Sequence, residues 1–294
     1  MTERKRLEQR TRSFARATEA ISGMVRHIRL QEAKLKRAVI FPQLRPRHAV
    51  FLAVVLGSLV LTLAQQPFGQ DPAYHQFADR RALFGIQNAF DVLSNGLFLL
   101  VGVAGIIFCV RKPEQSLRPA WTLFFLGVAS VSLGSAYYHV APNDRTLVWD
   151  RLPMTVGFMA LFAALVGEYL GERIGRLLLL PLILIGLGSV LYWQLADDLR
   201  FYLWIQVVPL ISIPVLVLLF PPGYSHQGLL AVALGWYVLS KIAEFSDGAI
   251  FSLTNEMVSG HTLKHVLAAL ACFTVLVMLA RRESICGRKP EGAA

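Results

Sequence analysis

Five residues of this chain have the types and the spacing of a hydrolytic metal centre: Ser135, His139, Asp150, His261 and His265. His261 and His265 are four apart, so on a helix they share one face with roughly 6 Å between them, a span that suits two imidazoles on one metal. His139 offers a third nitrogen. Three protein ligands with a fourth position open is the arrangement of catalytic zinc, whereas structural sites are closed by four. Zinc there lowers the pKa of a bound water to about 7 and yields a hydroxide nucleophile at neutral pH. Asp150 is then the general acid–base, accepting the water's proton and passing it to a leaving group. Ser135, one turn before His139, is placed to donate a hydrogen bond to a developing oxyanion. An HxxxH pair by itself is a common accident, and intramembrane histidines often only hydrogen-bond a neighbouring helix. The weight comes from where the elements put these residues.

Of the 294 residues 55% are hydrophobic and only 16% charged, with mean hydropathy +0.51. This excludes disordered, collagen-like and small disulfide-stapled classes, and an ordinary soluble domain carries about 25% charge. Eight runs are apolar over the length a bilayer-spanning helix needs, near 49–65, 84–110, 119–140, 147–169, 174–194, 200–220, 227–246 and 260–280. The expected fold is therefore an all-α integral membrane protein of eight spans. Residues 1–48 hold 13 Lys and Arg against 4 acids, and the rest of the chain is nearly neutral. Eight spans put both termini on one side, and the excess of Lys and Arg there makes that side cytoplasmic. Arg80, Arg81, Arg145, Arg151 and Arg200 are the few cations of the opposite side. No cleavable signal precedes the first span, which is expected to be retained.

In the tail, Phe14, Ile21, Ile28 and Leu35 recur every seven residues. This reads as an amphipathic helix for anionic lipid headgroups or a partner helix, or as a partly disordered topogenic segment, and in neither case as a nucleic-acid binder. Cys109, Cys272 and Cys286 make neither a disulfide framework nor a CxxC metal pair and are read as packing residues.

Ionisable groups inside spans are costly and mark function by default. Here they cluster. Asn88, Asp91, Ser94 and Asn95 open the second span, Ser135 and His139 close the third, Asp150 opens the fourth, and His261 and His265 open the eighth. Following the chain back and forth puts all four ends on the extracytoplasmic side, in one layer. Asn88, Asp91 and Asn95 share a helical face and are either hydrogen-bonding glue between helices or groups that orient the histidines; glue is favoured for Asn95 and a place near the site for Asp91. Lys241 and Glu244 are expected to pair with each other, and Glu168 to lie far from the site. His27, His48, His75 and His226 are read as solvated. A haem with histidine axial ligands would need neither Asp150 nor Ser135.

The series NAFDVLSN (88–95), SAYYH (135–139), DRLPM (150–154) and HTLKH (261–265) resembles the alkaline ceramidase family, within a wider group of seven-helix membrane hydrolases that includes adiponectin-receptor-like and Per1-like proteins. The resemblance covers about 84–280 and implies a seven-helix zinc hydrolase core, preceded by one extra transmembrane helix (49–65) and the basic tail (1–48), and followed by a cytoplasmic tail (281–294). It implies zinc on His139, His261 and His265, with Asp150 as acid–base and Ser135 at the oxyanion. The implied reaction is hydrolysis of the amide of a ceramide-like membrane lipid to a fatty acid and a sphingoid base. Alternatives are a receptor-like or structural seven-helix zinc protein and a hydrolase of another acyl lipid. Eukaryotic members carry an acidic, Trp-containing calcium loop; here that zone offers only Asp71, Asp79 and Asn88, so calcium regulation is not expected. The compact layout points to a bacterial inner membrane, with the zinc layer facing outward.

Overall fold

A computed structural model describes residues 45–285. The chain divides between Ala49 and Val50, and nearly all the described residues belong to the second unit, Val50–Ala294. The heptad-like pattern at 14–35, Cys286 and the C-terminal tail from 286 onward lie outside the described residues.

All named elements are helices: α1 (Pro46–Leu63), a 3-10 turn (Pro72–His75), α2 (Ala89–Ser94), α3 (Gly96–Arg111), α4 (Arg118–Val140), α5 (Asp144–Leu170), α6 (Glu172–Ala196), α7 (Arg200–Leu219), α8 (Gly228–Phe245), α9 (Asp247–Leu253) and α10 (Gly260–Arg281). With α2 and α3 counted as one span, eight helices among the described residues are long and apolar enough to cross a membrane. Lipid offers no partner to a bare N–H or C=O, so helices that satisfy their own backbone are the expected solution for these runs. Large apolar side chains such as Leu195, Leu218 and Phe245 point outward, as lipid-facing residues do.

Burial is unequal among the spans. In α5, 61% of the most apolar window is buried inside the protein, against 6% in α1. Thus α5 is the axis of the bundle, with α4 and α6 along its flanks. Phe51 of α1 packs on Phe162 of α5 and on Phe220 beyond α7, and Ser58 accepts a hydrogen bond from Trp204 Nε1 (3.0 Å). Cys109 and Cys272 are free and pack among apolar neighbours.

Two departures from the sequence expectation bear on the site. The second span is not one rod from 84. Residues 84–88 form a turn in which Phe84, Gly85 and Asn88 all have positive φ, and the helix then breaks at Asn95 into α2 and α3. The stretch between the seventh and eighth spans carries the short helix α9.

The hairpin of α4 and α5 is built by local sequence. Asn143 caps α5 by accepting from the N–H of Arg145 (3.0 Å) and Thr146 (3.1 Å), while Thr146 Oγ1 accepts in return from Asn143 N (3.2 Å), a complete capping box. Pro153 within α5 has no N–H for the carbonyl four residues back, that of Trp149. Gly134 of α4 lies against that same carbonyl, where any β-carbon would collide. The close approach sets Ser135 beside Asp150.

Candidate metal centre

Two helix ends bring the histidines together. His139 comes from the last turn of α4, and His261 and His265 from the first two turns of α10. Ring centroids are 4.8 Å apart for His139 and His261, 5.0 Å for His139 and His265, and 5.0 Å for His261 and His265. One ring nitrogen from each lies within 4.8 Å of the others, and all three side chains are buried. The cluster could hold a metal ion.

The surroundings fit that role. Nδ1 of His139 is buried with no hydrogen-bond partner among the described residues, a costly state for an imidazole nitrogen unless an ion completes it. His265 Nδ1 is held by Ser94 Oγ at 2.8 Å, which fixes the ring and leaves Nε2 for a ligand bond. The Nε2 of His261 lies 3.3 Å from Lys264 Nζ, which is itself paired with Glu244 at 2.8 Å. Phe77 packs on His139 and His261 at 4.7 and 4.6 Å, and Phe98 on His265 at 6.1 Å, shielding the rings from water.

The start of α10 is fixed from three directions. Ser259 caps the helix by accepting from Thr262 N (2.9 Å), and Asp247 Oδ1 accepts from His261 N (2.8 Å). Asp91 Oδ1 accepts from Thr262 Oγ1 (2.6 Å). Gly260 lies against the backbone of Ala243 and Asp247, where a side chain would not fit.

Asp91, Asn88 and Asn95 therefore sit next to the centre and brace its helices, but none of their side chains bonds a histidine ring. Asn88 Nδ2 donates to the carbonyl of His139 (2.8 Å), and Asn95 Nδ2 donates to the carbonyl of Asp91 (2.7 Å) across the α2–α3 break. The side chain that does reach a ring from this segment is Ser94, three positions after Asp91.

Asp150 and Ser135 are buried and within hydrogen-bond reach of each other. Together with Lys264 and His265 they line one end of an apolar cavity of about 140 Å³ that runs into the bundle between Phe124, Leu161, Leu230 and Val275. A second, more polar cavity of about 290 Å³ opens on the other side of Asp150, among Gln70, Tyr74, Arg151, Tyr202 and Glu244. Asp150, Met154, Lys241 and Lys264 border both.

Lys241 and Glu244 do pair (2.7 Å), but Glu244 also takes Lys264 and accepts from Tyr74 Oη (3.1 Å). Burial and the charge of Glu244 push the Tyr74 phenol well above its ordinary range. Glu168 lies apart, paired with Arg282. One expectation is corrected. His75 is not simply solvated: Nδ1 meets Tyr138 Oη (2.9 Å) and Nε2 meets Asp144 (3.1 Å), because the connector from α1 folds back over the site. Arg151, inside the expected fourth span, is buried in the first turns of α5.

That connector also supplies Phe77, and its Ala78 N–H donates to Asp247 Oδ2 (2.8 Å). Asp79 grips Arg81 through two oxygens, and Arg81 reaches the carbonyl of Met257 (3.0 Å). Burial alone would raise the Asp79 carboxyl, but the hydrogen bonds from Arg81 outweigh it and hold the carboxyl below its usual range.

No protein-family model matches the chain, and no curated protein matches it.

Proposed function

We propose that the protein is a zinc-dependent intramembrane amidase that cleaves the N-acyl bond of ceramide-like lipids, of the kind its resemblance to the alkaline ceramidases implies. The observation that carries the reading is that Ser135, Asp150 and His265 open onto one apolar cavity inside a bundle of membrane-spanning length. A histidine cluster serving only to hold helices together needs neither a neighbouring carboxyl nor a cavity.

His139, His261 and His265 would hold the metal. Zinc bound there supplies Lewis acidity and water activated near neutral pH. The apolar cavity takes the acyl chain and places the amide at its polar end. Asp150 accepts the proton of the attacking water at its carboxylate and returns it to the nitrogen as the C–N bond breaks, giving a fatty acid and an amine. The Ser135 hydroxyl, close to Asp150 in the resting site, turns to donate to the acyl oxygen as charge develops there. Phe77 and Phe98 exclude bulk water, which strengthens these contacts.

In this reading α2 to α10 form the seven-span hydrolase core, with α1 and the basic tail added in front. Both termini are cytoplasmic and the histidines lie toward the outer face of a bacterial inner membrane. The basic tail lies on anionic headgroups, and calcium has no part.

Fatty-acid release from a panel of ceramides, other N-acyl lipids and glycerolipids tests the proposal. Amides are expected to be cleaved, with the rate lowered about 10²–10⁴-fold in Asp150→Ala while metal is retained. Release from glycerolipids alone would shift the activity to another acyl bond. Release from none would leave a receptor-like or structural metal protein.

A further inference from the structure

The second cavity contains a cation that no carboxylate among the described residues pairs with. Arg151 is 6% exposed, and its NH1 is buried without a partner among the described residues. Its guanidinium stacks over Trp193 (4.1 Å) and Tyr202 (4.6 Å), and NH2 donates to Gln70 Oε1. The two ion pairs bordering the chamber, Lys241 with Glu244 and Lys264 with Glu244, do not use it. Three cations, Arg151, Lys241 and Lys264, thus face two carboxylates, Glu244 and Asp150, around one cavity. If Asp150 is engaged in proton transfer, Arg151 is the group left to attract an anion.

A buried guanidinium held flat by aromatic rings, with its NH1 unspent, is prepared for a charge-assisted hydrogen bond to a carboxylate or phosphate oxygen. Asp150 and Lys264 border both the chamber and the apolar cavity, so a headgroup in the one and a chain in the other put the linking amide beside Asp150. We infer that the substrate is an N-acyl lipid whose headgroup carries an anion, and that Arg151 is the residue that selects it. The inference rests on the amidase reading and narrows its substrate class. The anion's source is an amino-acid carboxylate or a phosphorylated sphingoid base.

The test compares N-palmitoylglycine, its neutral counterpart N-palmitoylethanolamine, ceramide 1-phosphate and ceramide as substrates of the full-length metal-loaded protein and of Arg151→Met. Wild type is expected to prefer an anionic lipid over its neutral counterpart by about tenfold or more in kcat/KM. Preference for N-palmitoylglycine assigns the carboxylate, and preference for ceramide 1-phosphate the phosphate. In Arg151→Met the anionic-to-neutral ratio is expected to fall about 30-fold, the equivalent of about 2 kcal/mol for truncating one partner of a buried charge pair. A wild-type preference for the neutral lipids, or an equal fall for all four, overturns the inference. Binding separates this failure from that of the amidase reading. N-palmitoylglycine is expected to raise Tm of the wild type more than N-palmitoylethanolamine does, and to lose that advantage in Arg151→Met. If nothing is hydrolysed yet this difference holds, the amidase reading fails and the anion site stands; if the difference is absent, the anion site fails. Should Arg151→Met not fold, Arg151→Lys, which keeps the charge but not the planar fork, is expected to lower the ratio, and an unchanged ratio overturns the inference.

Discussion

Two buried polar clusters lie at opposite ends of α5, and they differ in whether they are complete. Near its C-terminus Glu168 pairs with Arg282 and accepts from Trp121 Nε1 (3.0 Å), and Arg282 stacks on Tyr224 (4.1 Å). Among the described residues none of the polar atoms of Glu168, Arg282 and Trp121 is found buried without a partner. Near the N-terminus of α5 the counterpart cluster leaves His139 Nδ1, Asp91 Oδ2, Asn95 Oδ1 and Arg151 NH1 unpartnered among the described residues. Desolvation costs both clusters free energy, but only the first recovers it within the chain. A closed cluster is explained by the fold it locks. An open one, at a cavity, is explained by something that binds.

Breaking the closed cluster is expected to cost the most stability. Glu168→Gln leaves Arg282 as an uncompensated buried charge, at about 3–5 kcal/mol, read as a large fall in Tm. Metal content per folded chain should be unchanged, because the damage is at the far end of α5. Loss of metal together with stability would mean that the two ends are not independent. A smaller effect is expected from Ser94→Ala, which frees the His265 ring to turn. Metal affinity should drop about 10–100-fold in a titration with a competing chelator, with little change in Tm. The smallest concerns the connector that covers the histidines. The Asp79 carboxyl is held below its ordinary value in the folded protein, so its contribution to stability is present above the unfolded value, ~3.9, and is lost as the pH falls through the folded value. Asp79→Asn should therefore lower Tm slightly at neutral pH and flatten its decline in acid.

What is legible in the sequence follows from the physics that acts locally. Spans are visible because lipid demands about 20 apolar residues whatever the fold, and the eight expected runs match the helices to within a few residues apart from the turn at 84–88 and the break at Asn95. His261 and His265 are visible because their spacing puts them on one face, and His139 because the span count puts its helix end in the same layer. Ser94 opens the same span as Asp91, but the kink at Asn95 decides which polar group turns toward His265. Phe77 and His75 are hidden because an irregular connector carries them back over the bundle, and no periodicity records that path. Arg151 falls at the start of the expected fourth span, but its burial depends on Trp193 and Tyr202 arriving from α6 and α7. Spacing pairs Glu244 with Lys241, while its second partner, Lys264, comes from a helix the local pattern does not see.

The open end is proposed to hold a metal at His139, His261 and His265, and elemental analysis of the purified protein tests this most directly. About one zinc per chain is expected in the wild type, lost in His261→Ala and retained in Glu168→Gln. A wild type that carries no transition metal, and takes up none when zinc is supplied, would contradict the account.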